Sequence, residues 1–501
     1  MKNNLSITDY YRCEILKPPS FGIVVFGASG HLAYNKLFPS LFGLYKKGII
    51  KNNFFIVGTG RSNYDDSSFR NRIENSIKSK FPNVEDRLIG DFCINVYYIN
   101  GNYEDTYYYE NIKGRLKQLT ECYKTGGNII YHLATPPFLF ETIIYKLIKS
   151  SLITKDKDKN YFERLMVEKP FGLDFESCKE LNKVILRNLN DNQIFRIDHY
   201  LGKSTVQNIL VFKFANTLFH DLWNKKNIEY VFIKFKEREG VEERQEYFDN
   251  TGLLRDIFQN HILQLVALIA MEKPESFSAE NIQKQKNKIF KSIAPFEKNV
   301  INKNILLGQY NGYRQRSKEF EKSCIETFFF TRLFINNRNW KNVPFYILAG
   351  KKMDVDETSI TVVFKREKKC LLCEGDNLNN KNAITFKIKP SQGVSIRFVG
   401  KVPGAKLCTG SFNMEFNYKD VFGNEMIEDY ESVILECLYG DHTIFWDKEG
   451  VEYSWKILQP LLEKLNNCPL EEKNKTLKIY EPGSEGPIEI INFIKDNGWN
   501  L

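Results

Sequence analysis

Residues 21–33 read FGIVVFGASGHLA and decide the fold of the first part of the chain. The first six residues are apolar and rich in β-branched and aromatic side chains, which indicates a strand buried on both faces of a parallel sheet. The run stops at Gly27, and a helix-like pattern then continues to Gly48. A strand, a glycine-rich turn and a helix in this order predict the first unit of an α/β domain.

The alternation of strands and helices continues outward from this unit. Four further runs, NFFIVGTG, CINVYYING, NIIYHLATPP and RLMVEKPFG, read as strands separated by helical segments. This repetition predicts a doubly wound, Rossmann-type domain over residues 21–197. Beyond it strands dominate, which predicts an α+β domain with a large, mainly antiparallel sheet over residues 198–501. We expect the polar residues 1–20 to be a flexible lead-in.

The composition excludes several classes of protein. Of the 501 residues, 42% are hydrophobic, which is enough for sizeable cores and argues against a wholly disordered chain. The net charge of +9 is mild and spread along the chain, so we expect anionic small molecules rather than nucleic acid as partners. The ten cysteines follow no framework spacing, which is typical of reduced, intracellular thiols.

No segment predicts contact with a membrane or a metal. The longest apolar stretch, residues 262–271, is far shorter than the roughly 20 residues that span a bilayer, and the N-terminus lacks the apolar core of a signal peptide. We therefore expect a cytoplasmic protein without a membrane partner. Cys370 and Cys373 form a lone C-x-x-C without a nearby histidine, so ordinary strand residues are favoured over a zinc or redox site.

The turn after the first strand is a candidate nucleotide site. Gly27 permits a tight turn, and Gly30 lets the backbone approach a pyrophosphate at the helix N-terminus. A bare G-x-x-G is a weak signal, but its position at the first strand–helix turn favours a dinucleotide. The residues of this candidate site are Gly27, Ala28, Ser29, Gly30, His31 and Leu32.

The second strand indicates which dinucleotide would bind. An NAD site usually has an acid at the end of that strand to hold the ribose hydroxyls. Here the strand is followed by Arg61, and no acid is present at this point. An arginine suits a 2′-phosphate, so NADP is predicted as the cofactor. The alternative is a solvated loop arginine without a ligand.

The segment RIDHYLGK, residues 196–203, is a candidate phosphate site. If a helix begins at Tyr200, His199 and Lys203 lie four residues apart and project from one face. Two donors on one face can bind a phosphate dianion, with Lys203 as a permanent charge. A lone His–Lys pair at this spacing is more often a pair of exposed surface residues without a function. The neighbouring Asp198 and the position at the domain junction favour a phosphate site here.

A second polar set interrupts an apolar helix predicted over residues 252–271. Asp256, Asn260 and His261 lie among Leu, Ile and Val residues, and ionisable groups in such surroundings are candidates for a site. The usual alternative is a core histidine that hydrogen-bonds to backbone. In an α-helix Asp256 lies about 140° around the axis from His261 and is poorly placed to orient it. If His261 is a base, Asp198 is the natural candidate for its partner.

Four motifs, GASGHLA, EKPFG, RIDHYLGK and RDIFQNH, together resemble the glucose-6-phosphate dehydrogenase family. Their order and spacing agree with the family, and the similarity runs from about residue 21 to the C-terminus. The resemblance implies oxidation of the C1 hydroxyl of glucose 6-phosphate to the lactone with hydride transfer to NADP, the first step of the pentose phosphate pathway. It also implies a homodimer or homotetramer.

The resemblance implies a role for each residue of the catalytic and sugar sites. His261 matches the general base, and Asp198 matches the carboxylate that orients it. The residues that match the phosphate-binding set of the family are His199, Tyr200 and Lys203. The residues that match positions holding sugar hydroxyls or phosphate are Glu237, Asp256 and Lys351.

On the coenzyme side, Lys169 matches the lysine that contacts both the sugar and the nicotinamide. Pro170 matches the proline that sets the pose of the coenzyme. The residues that match the rest of the coenzyme site are Gly27, Ser29, Gly30 and Arg61. Two positions depart from the family pattern: His31 stands in place of an aspartate near the coenzyme phosphates, and Phe140 stands in place of a tyrosine.

A further departure concerns a structural NADP that some members of the family bind on the large sheet. The cations of that site are mostly absent here, although Lys387 is retained as one of them. The chain also ends at Leu501, before the aromatic tail of the family. The residues at the positions of the other cations are Leu348, Asp354, Asp356, Glu357 and Glu485. We therefore expect one NADP site per chain.

Two other interpretations of the sequence compete with the dehydrogenase. A non-catalytic NADP-binding or sensor protein on the same fold would not need the base, its orienting acid and the phosphate-binding lysine together, yet all three are present. A luminal relative fused to a lactonase would need a signal peptide and a longer chain. The dehydrogenase is therefore the favoured interpretation.

Overall fold

A computed structural model describes most of the chain from residue 17 to residue 496. The predicted lead-in lies almost wholly outside the described residues, as do Cys370, Cys373 and the C-terminal Leu501. The residues within this span that are not described are 52, 156–159, 297–304, 367–380, 424–425 and 468–475.

Sixteen strands form two sheets in the described part of the chain. In chain order they are β1 (Phe21–Phe26), β2 (Phe54–Gly60), β3 (Val96–Asn100), β4 (Ile129–Leu133), β5 (Glu163–Val167), β6 (Ile194–Ile197), β7 (Ile228–Lys236), β8 (Ile305–Tyr310), β9 (Phe328–Phe334), β10 (Pro344–Gly350), β11 (Glu357–Phe364), β12 (Ala383–Lys389), β13 (Gly393–Lys401), β14 (Thr409–Asn417), β15 (Phe445–Trp446) and β16 (Leu477–Tyr480).

The α-helices alternate with the strands in the first part of the chain and cluster at three places in the second. They are α1 (Phe38–Lys46), α2 (Asp66–Lys80), α3 (Asp86–Cys93), α4 (Thr106–Tyr123), α5 (Phe140–Lys149), α6 (Phe175–Asn188), α7 (Ser204–Ala215), α8 (Thr217–His220), α9 (Gln245–Leu253), α10 (Leu263–Ala270), α11 (Ala279–Ser292), α12 (Tyr418–Phe422), α13 (Asp429–Tyr439), α14 (Lys448–Asn467) and α15 (Ile488–Asp496). Two π-helical segments are Ala33–Leu37 and Leu254–Ile262, and a 3-10 turn covers His199–Gly202. No helix among the described residues is both long enough and apolar enough to cross a bilayer.

The first sheet has seven strands in the order β15-β6-β5-β4-β1-β2-β3. Strands β1 to β6 are parallel, and every residue of β1 is buried, as the apolar run FGIVVF predicts. The doubly wound α/β domain is therefore confirmed. β15 adds an antiparallel edge to β6, so the sheet includes a strand from beyond the boundary predicted at residue 197. The boundary itself stays a prediction.

The second sheet has nine strands in the order β14-β13-β12-β11-β7-β10-β9-β8-β16. Its pairs are antiparallel except β7 with β10 and β8 with β16, which confirms the large, mainly antiparallel sheet. Helix α7 packs on one face of this sheet, where the rings of Phe212 and Phe386 lie 5.3 Å apart. β6 of the first sheet leads through a short turn into α7 on the second sheet. The chain itself therefore places the residues of this turn at the junction of the two sheets.

Two predictions of helical geometry at this junction were wrong. The helix expected from Tyr200 begins at Ser204, because His199–Gly202 forms a 3-10 turn. The helix expected over residues 252–271 contains the π-helical segment Leu254–Ile262, and Gly252 with φ 69° breaks the helix before it. Residues five apart lie nearly above one another in a π-helix. Asp256 and His261 therefore project towards the same region, which the α-helical geometry would not allow.

Candidate active site

The carboxyl ends of the parallel strands carry the residues predicted to bind the coenzyme. The turn from Gly27 to Leu32 follows β1, Arg61 follows β2, and Lys169 and Pro170 follow β5. In an open parallel sheet this edge is where ligands bind, because the loops of neighbouring strands diverge there. The structure thus places the predicted coenzyme residues along one edge.

Gly27 occupies a conformation that a side chain would not tolerate. Its φ is +82°, and a Cβ atom there would lie 2.6 Å from the carbonyl oxygen of Ala134. The backbone N–H of Gly27 donates to the hydroxyl of Tyr103 at 2.9 Å, and Gly30 N donates to Gly27 O at 2.9 Å. The turn is therefore tight and close to the end of β4. Because Gly30 has no side chain, a ligand can approach the protein backbone there.

Charged and hydroxyl groups surround this turn. Arg61 and His31 are exposed, and the hydroxyl of Ser29 accepts a hydrogen bond from Ser62 at 2.9 Å. Arg72, from α2, donates to the carbonyl oxygen of Ser29 at 2.9 Å, and its guanidinium lies over the ring of Tyr34. Arg72 belongs to none of the sequence motifs, because only the tertiary packing of α2 brings it to the turn.

His261 and Asp198 form the most deeply buried polar contact of the candidate site. His261 Nδ1 lies 2.5 Å from Asp198 Oδ1, and both side chains are at most 1% exposed. Burial favours the neutral ring and lowers the pKa of His261, although the Asp198 charge opposes this shift. Burial also opposes ionisation of Asp198, but its contact with His261 outweighs this and lowers the pKa of Asp198 to about 2. A neutral imidazole beside a fixed carboxylate is suited to accept a proton.

Aromatic rings enclose His261 on several sides. The ring centroids of Tyr200, His199 and Phe235 lie 4.3, 4.9 and 6.1 Å from that of His261. Burial and the neighbouring His261 hold the pKa of His199 well below its usual value. The ring of Tyr430 stacks on His199 at 5.6 Å, and its hydroxyl lies 3.3 Å from buried Glu168. Tyr430 was not singled out from the sequence, because it lies more than 200 residues away in the chain.

Two lysines that are each paired with a carboxylate act on the charge of Asp256. Lys169 Nζ donates to Asp256 Oδ1 at 2.8 Å, and Lys351 Nζ lies 2.5 Å from Glu237 Oε2. Burial opposes the ionisation of Asp256, but Lys169 and Lys351 outweigh it, so the pKa of Asp256 is lowered. The two pairs make this part of the site polar, and their four side chains are at most 26% exposed.

A third lysine pair involves Asp429, a residue outside the sequence motifs. Lys203 Nζ donates to Asp429 Oδ2 at 3.0 Å, and each side chain is about one-fifth exposed. Asp429 is the first residue of α13, far along the chain from the RIDHYLGK segment. Lys203 also lies over the ring of Tyr200, with its ammonium 5.1 Å from the ring centroid. The structure thus brings His199, Tyr200 and Lys203 together beside the His261–Asp198 dyad.

Comparisons with known proteins identify the family of this chain. A family model described as the NAD binding domain of glucose-6-phosphate dehydrogenase matches residues 24–208, and one described as its C-terminal domain matches residues 210–500. The glucose-6-phosphate 1-dehydrogenase of Chlamydia pneumoniae is 35% identical over 500 residues, which cover 96% of this chain and 95% of the relative. This chain belongs to the glucose-6-phosphate dehydrogenase family.

Other members of the glucose-6-phosphate dehydrogenase family are similarly close. The enzyme of Aggregatibacter actinomycetemcomitans is 35% identical and covers 96% of this chain, with 97% of its own length matched. A solved glucose-6-phosphate dehydrogenase in complex with its substrate glucose 6-phosphate has a TM-score of 0.87, 31% identity and coverage of 97% of this chain and 99% of its own. The resemblance stated from the four motifs is thus confirmed.

Membership of the glucose-6-phosphate dehydrogenase family leaves the role of each residue as a proposal. Asp198, His199 and His261 offer ligand atoms within 4.8 Å of one another, so they could also hold a metal ion. The short contact between His261 and Asp198 instead fits a hydrogen-bonded dyad.

Phe140, the second departure from the family pattern, is buried at the start of α5, where its ring packs in the core.

Proposed function

We propose that this protein oxidises D-glucose 6-phosphate at C1 to 6-phospho-D-glucono-1,5-lactone, with transfer of the hydride to NADP. The observation that carries this proposal is the buried His261–Asp198 dyad beside His199, Tyr200 and Lys203. A base that is positioned next to an anion site suits a substrate with a hydroxyl at one end and a phosphate at the other.

His261 is the general base of the proposed reaction. Asp198 accepts from Nδ1 of the ring, which leaves Nε2 to take the proton of the C1 hydroxyl. The negative charge of Asp198 stabilises the imidazolium that forms in this step. When bound, NADP accepts the hydride that leaves C1, so the base and the coenzyme must flank the same carbon.

The phosphate clamp, which we define as His199, Tyr200 and Lys203, anchors the other end of the substrate. Lys203 supplies a permanent positive charge, and the imidazole of His199 and the hydroxyl of Tyr200 supply hydrogen bonds. Binding energy from this remote phosphate can fix C1 against the base. This division of roles is the reason to expect a strong preference for the phosphorylated sugar.

The remaining site residues are proposed to hold the sugar ring and the coenzyme. Glu237, Asp256 and Lys351 provide acceptors and a donor for hydroxyl groups, and Lys169 lies between the sugar and the nicotinamide. Pro170 sets the pose of the coenzyme, and Arg61 is proposed to contact its 2′-phosphate. The residues proposed to cradle the pyrophosphate are Gly27, Ala28, Ser29, Gly30, His31 and Leu32.

The experiment that tests the function is a direct assay. The purified chain is mixed with NADP and glucose 6-phosphate, and the absorbance of the reduced coenzyme is followed; parallel reactions contain glucose or NAD instead. We expect rapid reduction of NADP with glucose 6-phosphate and slow reduction in the other two reactions. If the chain binds NADP but never reduces it, the alternative of a non-catalytic NADP-binding protein replaces this proposal.

We further infer that the enzyme acts in the cytoplasm as a homodimer or homotetramer. The cytoplasmic location is inferred from the spacing of the cysteines, which is typical of reduced thiols, and the assembly is inferred from the family resemblance. Sedimentation or light scattering of the purified chain, read with and without NADP, measures the assembly. A monomer at all concentrations used in the assay would contradict this part of the proposal.

A further inference from the structure

Asp429 places a carboxylate in direct contact with the phosphate clamp. Its Oδ2 atom lies 3.0 Å from Lys203 Nζ, and the two side chains are 21% and 20% exposed. The Asp429 charge also acts on His199, the second member of the clamp, since each residue influences the pKa of the other. An anion of the protein itself thus contacts Lys203 and acts electrostatically on His199, two of the three side chains proposed to bind the anion of the substrate.

The backbone packing of α13 holds Asp429 at this position. Gly202 lies so close to α13 that a Cβ atom there would be 2.4 Å from the carbonyl oxygen of Asp429. One turn further along, Gln207 Nε2 lies 3.3 Å from the hydroxyl of Ser432. The start of α13 is therefore packed directly against the turn that carries the clamp, which places Asp429 next to it.

Asp429 is ionised in the free protein. Burial opposes its charge, but Lys203 and His199 outweigh this effect, and the pKa of Asp429 lies below its usual value. Lys36, an exposed residue of the first π-helical segment, acts in the same direction. At neutral pH a phosphate dianion bound in the clamp would therefore face the negative charge of Asp429.

We propose that Asp429 is a specificity-determining residue that acts as an internal competitor for the substrate phosphate. In the free enzyme its carboxylate holds Lys203, and on binding the phosphate displaces Asp429 from the ammonium while the two anions repel each other. This inference rests on the proposed function, because it assumes that the clamp binds the phosphate of a sugar. It predicts an affinity for the phosphorylated sugar that is lower than the cations alone would give.

A weakened clamp has a kinetic consequence for the reaction. The lactone product keeps the same phosphate as the substrate, so a clamp that binds too tightly would retain the product as well. Binding energy that substrate and product share lowers KM without raising kcat. Asp429 therefore limits the binding energy that substrate and product share. It acts through Lys203 rather than through contact with the reacting carbon.

A purely structural ion pair is the competing explanation. An acid in the first turn of a helix is favourable with the helix dipole, and a half-buried pair with lysine can add stability. A structural role predicts a lower unfolding temperature on removal of the charge, without tighter substrate binding. The two explanations therefore differ in the sign of the change in kcat/KM.

The test compares Asp429→Asn with the wild type. For glucose 6-phosphate, kcat/KM is expected to rise about 3–10-fold, the effect of removing one nearby like charge at partial exposure. For unphosphorylated glucose, kcat/KM should stay unchanged, so the ratio between the two sugars rises. Asp429→Ser, which keeps a residue suited to a helix start, should act in the same direction if the asparagine variant folds poorly. Asp429→Glu retains the charge and should remain close to the wild type.

Asp86 provides a matched control. It is also the first residue of a helix, it also follows a glutamate, and its Oδ1 lies 2.8 Å from Lys78. Asp86→Asn should leave the ratio between the two sugars unchanged. A second check is a double-mutant cycle with Lys203→Ala, in which the effect of Asp429→Asn should become smaller, because only the repulsion between the two anions then remains. An unchanged or lower ratio in Asp429→Asn would overturn the inference.

Failure of this inference can be told apart from failure of the proposed function. If the wild type does not reduce NADP with glucose 6-phosphate, the function itself is wrong. Calorimetry with inorganic phosphate then still tests the clamp, because Asp429→Asn should bind phosphate about 3–10-fold more tightly than the wild type. Equal binding by the two proteins would overturn the role of Asp429 in either case.

Discussion

His261 and Asp198 lie 63 residues apart in the chain, yet their Nδ1 and Oδ1 atoms are 2.5 Å apart. The same Oδ1 atom accepts the backbone N–H of Tyr200 at 3.1 Å, so the carboxylate is fixed at the start of the 3-10 turn. His261 is carried by the π-helical segment, which also directs Asp256 towards the site. The orientation of the imidazole is therefore determined by two separate elements.

The first prediction concerns loss of the base. His261→Asn should lower kcat by roughly 10²–10⁴-fold, the usual contribution of a general base, with little change in substrate binding. Steady-state kinetics with NADP and glucose 6-phosphate measure both effects. His220 provides the control, because it is an exposed histidine whose Nδ1 also lies close to an aspartate, 3.2 Å from Asp221. His220→Asn should keep wild-type kinetics, and an His261→Asn variant with more than half of the wild-type kcat would exclude His261 from the mechanism.

The second prediction concerns the pH dependence of the reaction. The base works when neutral, and burial lowers the pKa of His261 from its ordinary value of about 6.5. Activity should therefore persist as pH falls through 6.5 and decline only at lower pH. Asp198 raises the pKa of His261, so Asp198→Asn should move the decline to still lower pH and also reduce the plateau. A decline centred above 6.5 in the wild type would contradict this assignment.

The pH profile must separate the enzyme from the substrate, because a phosphate monoester also titrates near pH 6. Profiles of kcat/KM with glucose 6-phosphate and with glucose address this point. A decline that both sugars share belongs to the enzyme, whereas one that only the phosphorylated sugar shows belongs to the phosphate or its clamp.

The first sheet was predictable because its signals are local. The five predicted runs coincide with β1 to β5, and each is a short, mostly apolar stretch bounded by turn residues. β6 was not predicted, because its four residues give too short a pattern and include Arg196. The pairing of His261 with Asp198 was also inferred, but from the rejection of Asp256 under α-helical geometry. That premise was wrong at this place, since the segment is π-helical and places Asp256 near the same site.

The residues that the sequence did not reveal reach the site through tertiary contacts. Arg72, Asp429 and Tyr430 belong to no motif, and two of them start a helix that packs against the clamp from more than 200 residues away. The pairing of β15 with β6 has the same origin, because two residues carry too little pattern to predict a strand. Sequence periodicity predicts a single helix or strand, whereas these contacts depend on which helices and strands pack together in the folded chain.

The third prediction concerns the choice of coenzyme. Arg61 is exposed at the end of β2, where a guanidinium can pair with the 2′-phosphate of NADP. Arg61→Ala should remove most of the preference for NADP over NAD, measured as the ratio of kcat/KM for the two coenzymes. Arg87, an exposed residue of α3 in the same domain, provides the control, and Arg87→Ala should leave the ratio unchanged. An unchanged ratio in Arg61→Ala would transfer the role to another residue, with His31 as the first candidate.

The last prediction concerns the number of coenzyme sites. Several lysines of the large sheet that could attract a second nucleotide are paired with carboxylates in the described part of the chain. Lys234 lies 3.4 Å from Glu357, and Lys236 lies 3.1 Å from Asp354. Lys387, the one cation retained from the family pattern, lies 2.7 Å from Glu415. A ligand with several negative charges would have to displace these acids and would remain close to them.

We therefore expect one NADP per chain. Such a ligand needs unshared cations to offset the loss of its hydration, and the acids at Asp354, Asp356 and Glu357 act against it. Calorimetry of the purified chain with NADP, in the absence of glucose 6-phosphate, gives the stoichiometry directly. Arg61→Ala serves as the control, since weakening the catalytic site should weaken all of the NADP binding that is detected. A second binding event per chain that persists in Arg61→Ala would show that the large sheet holds a nucleotide after all.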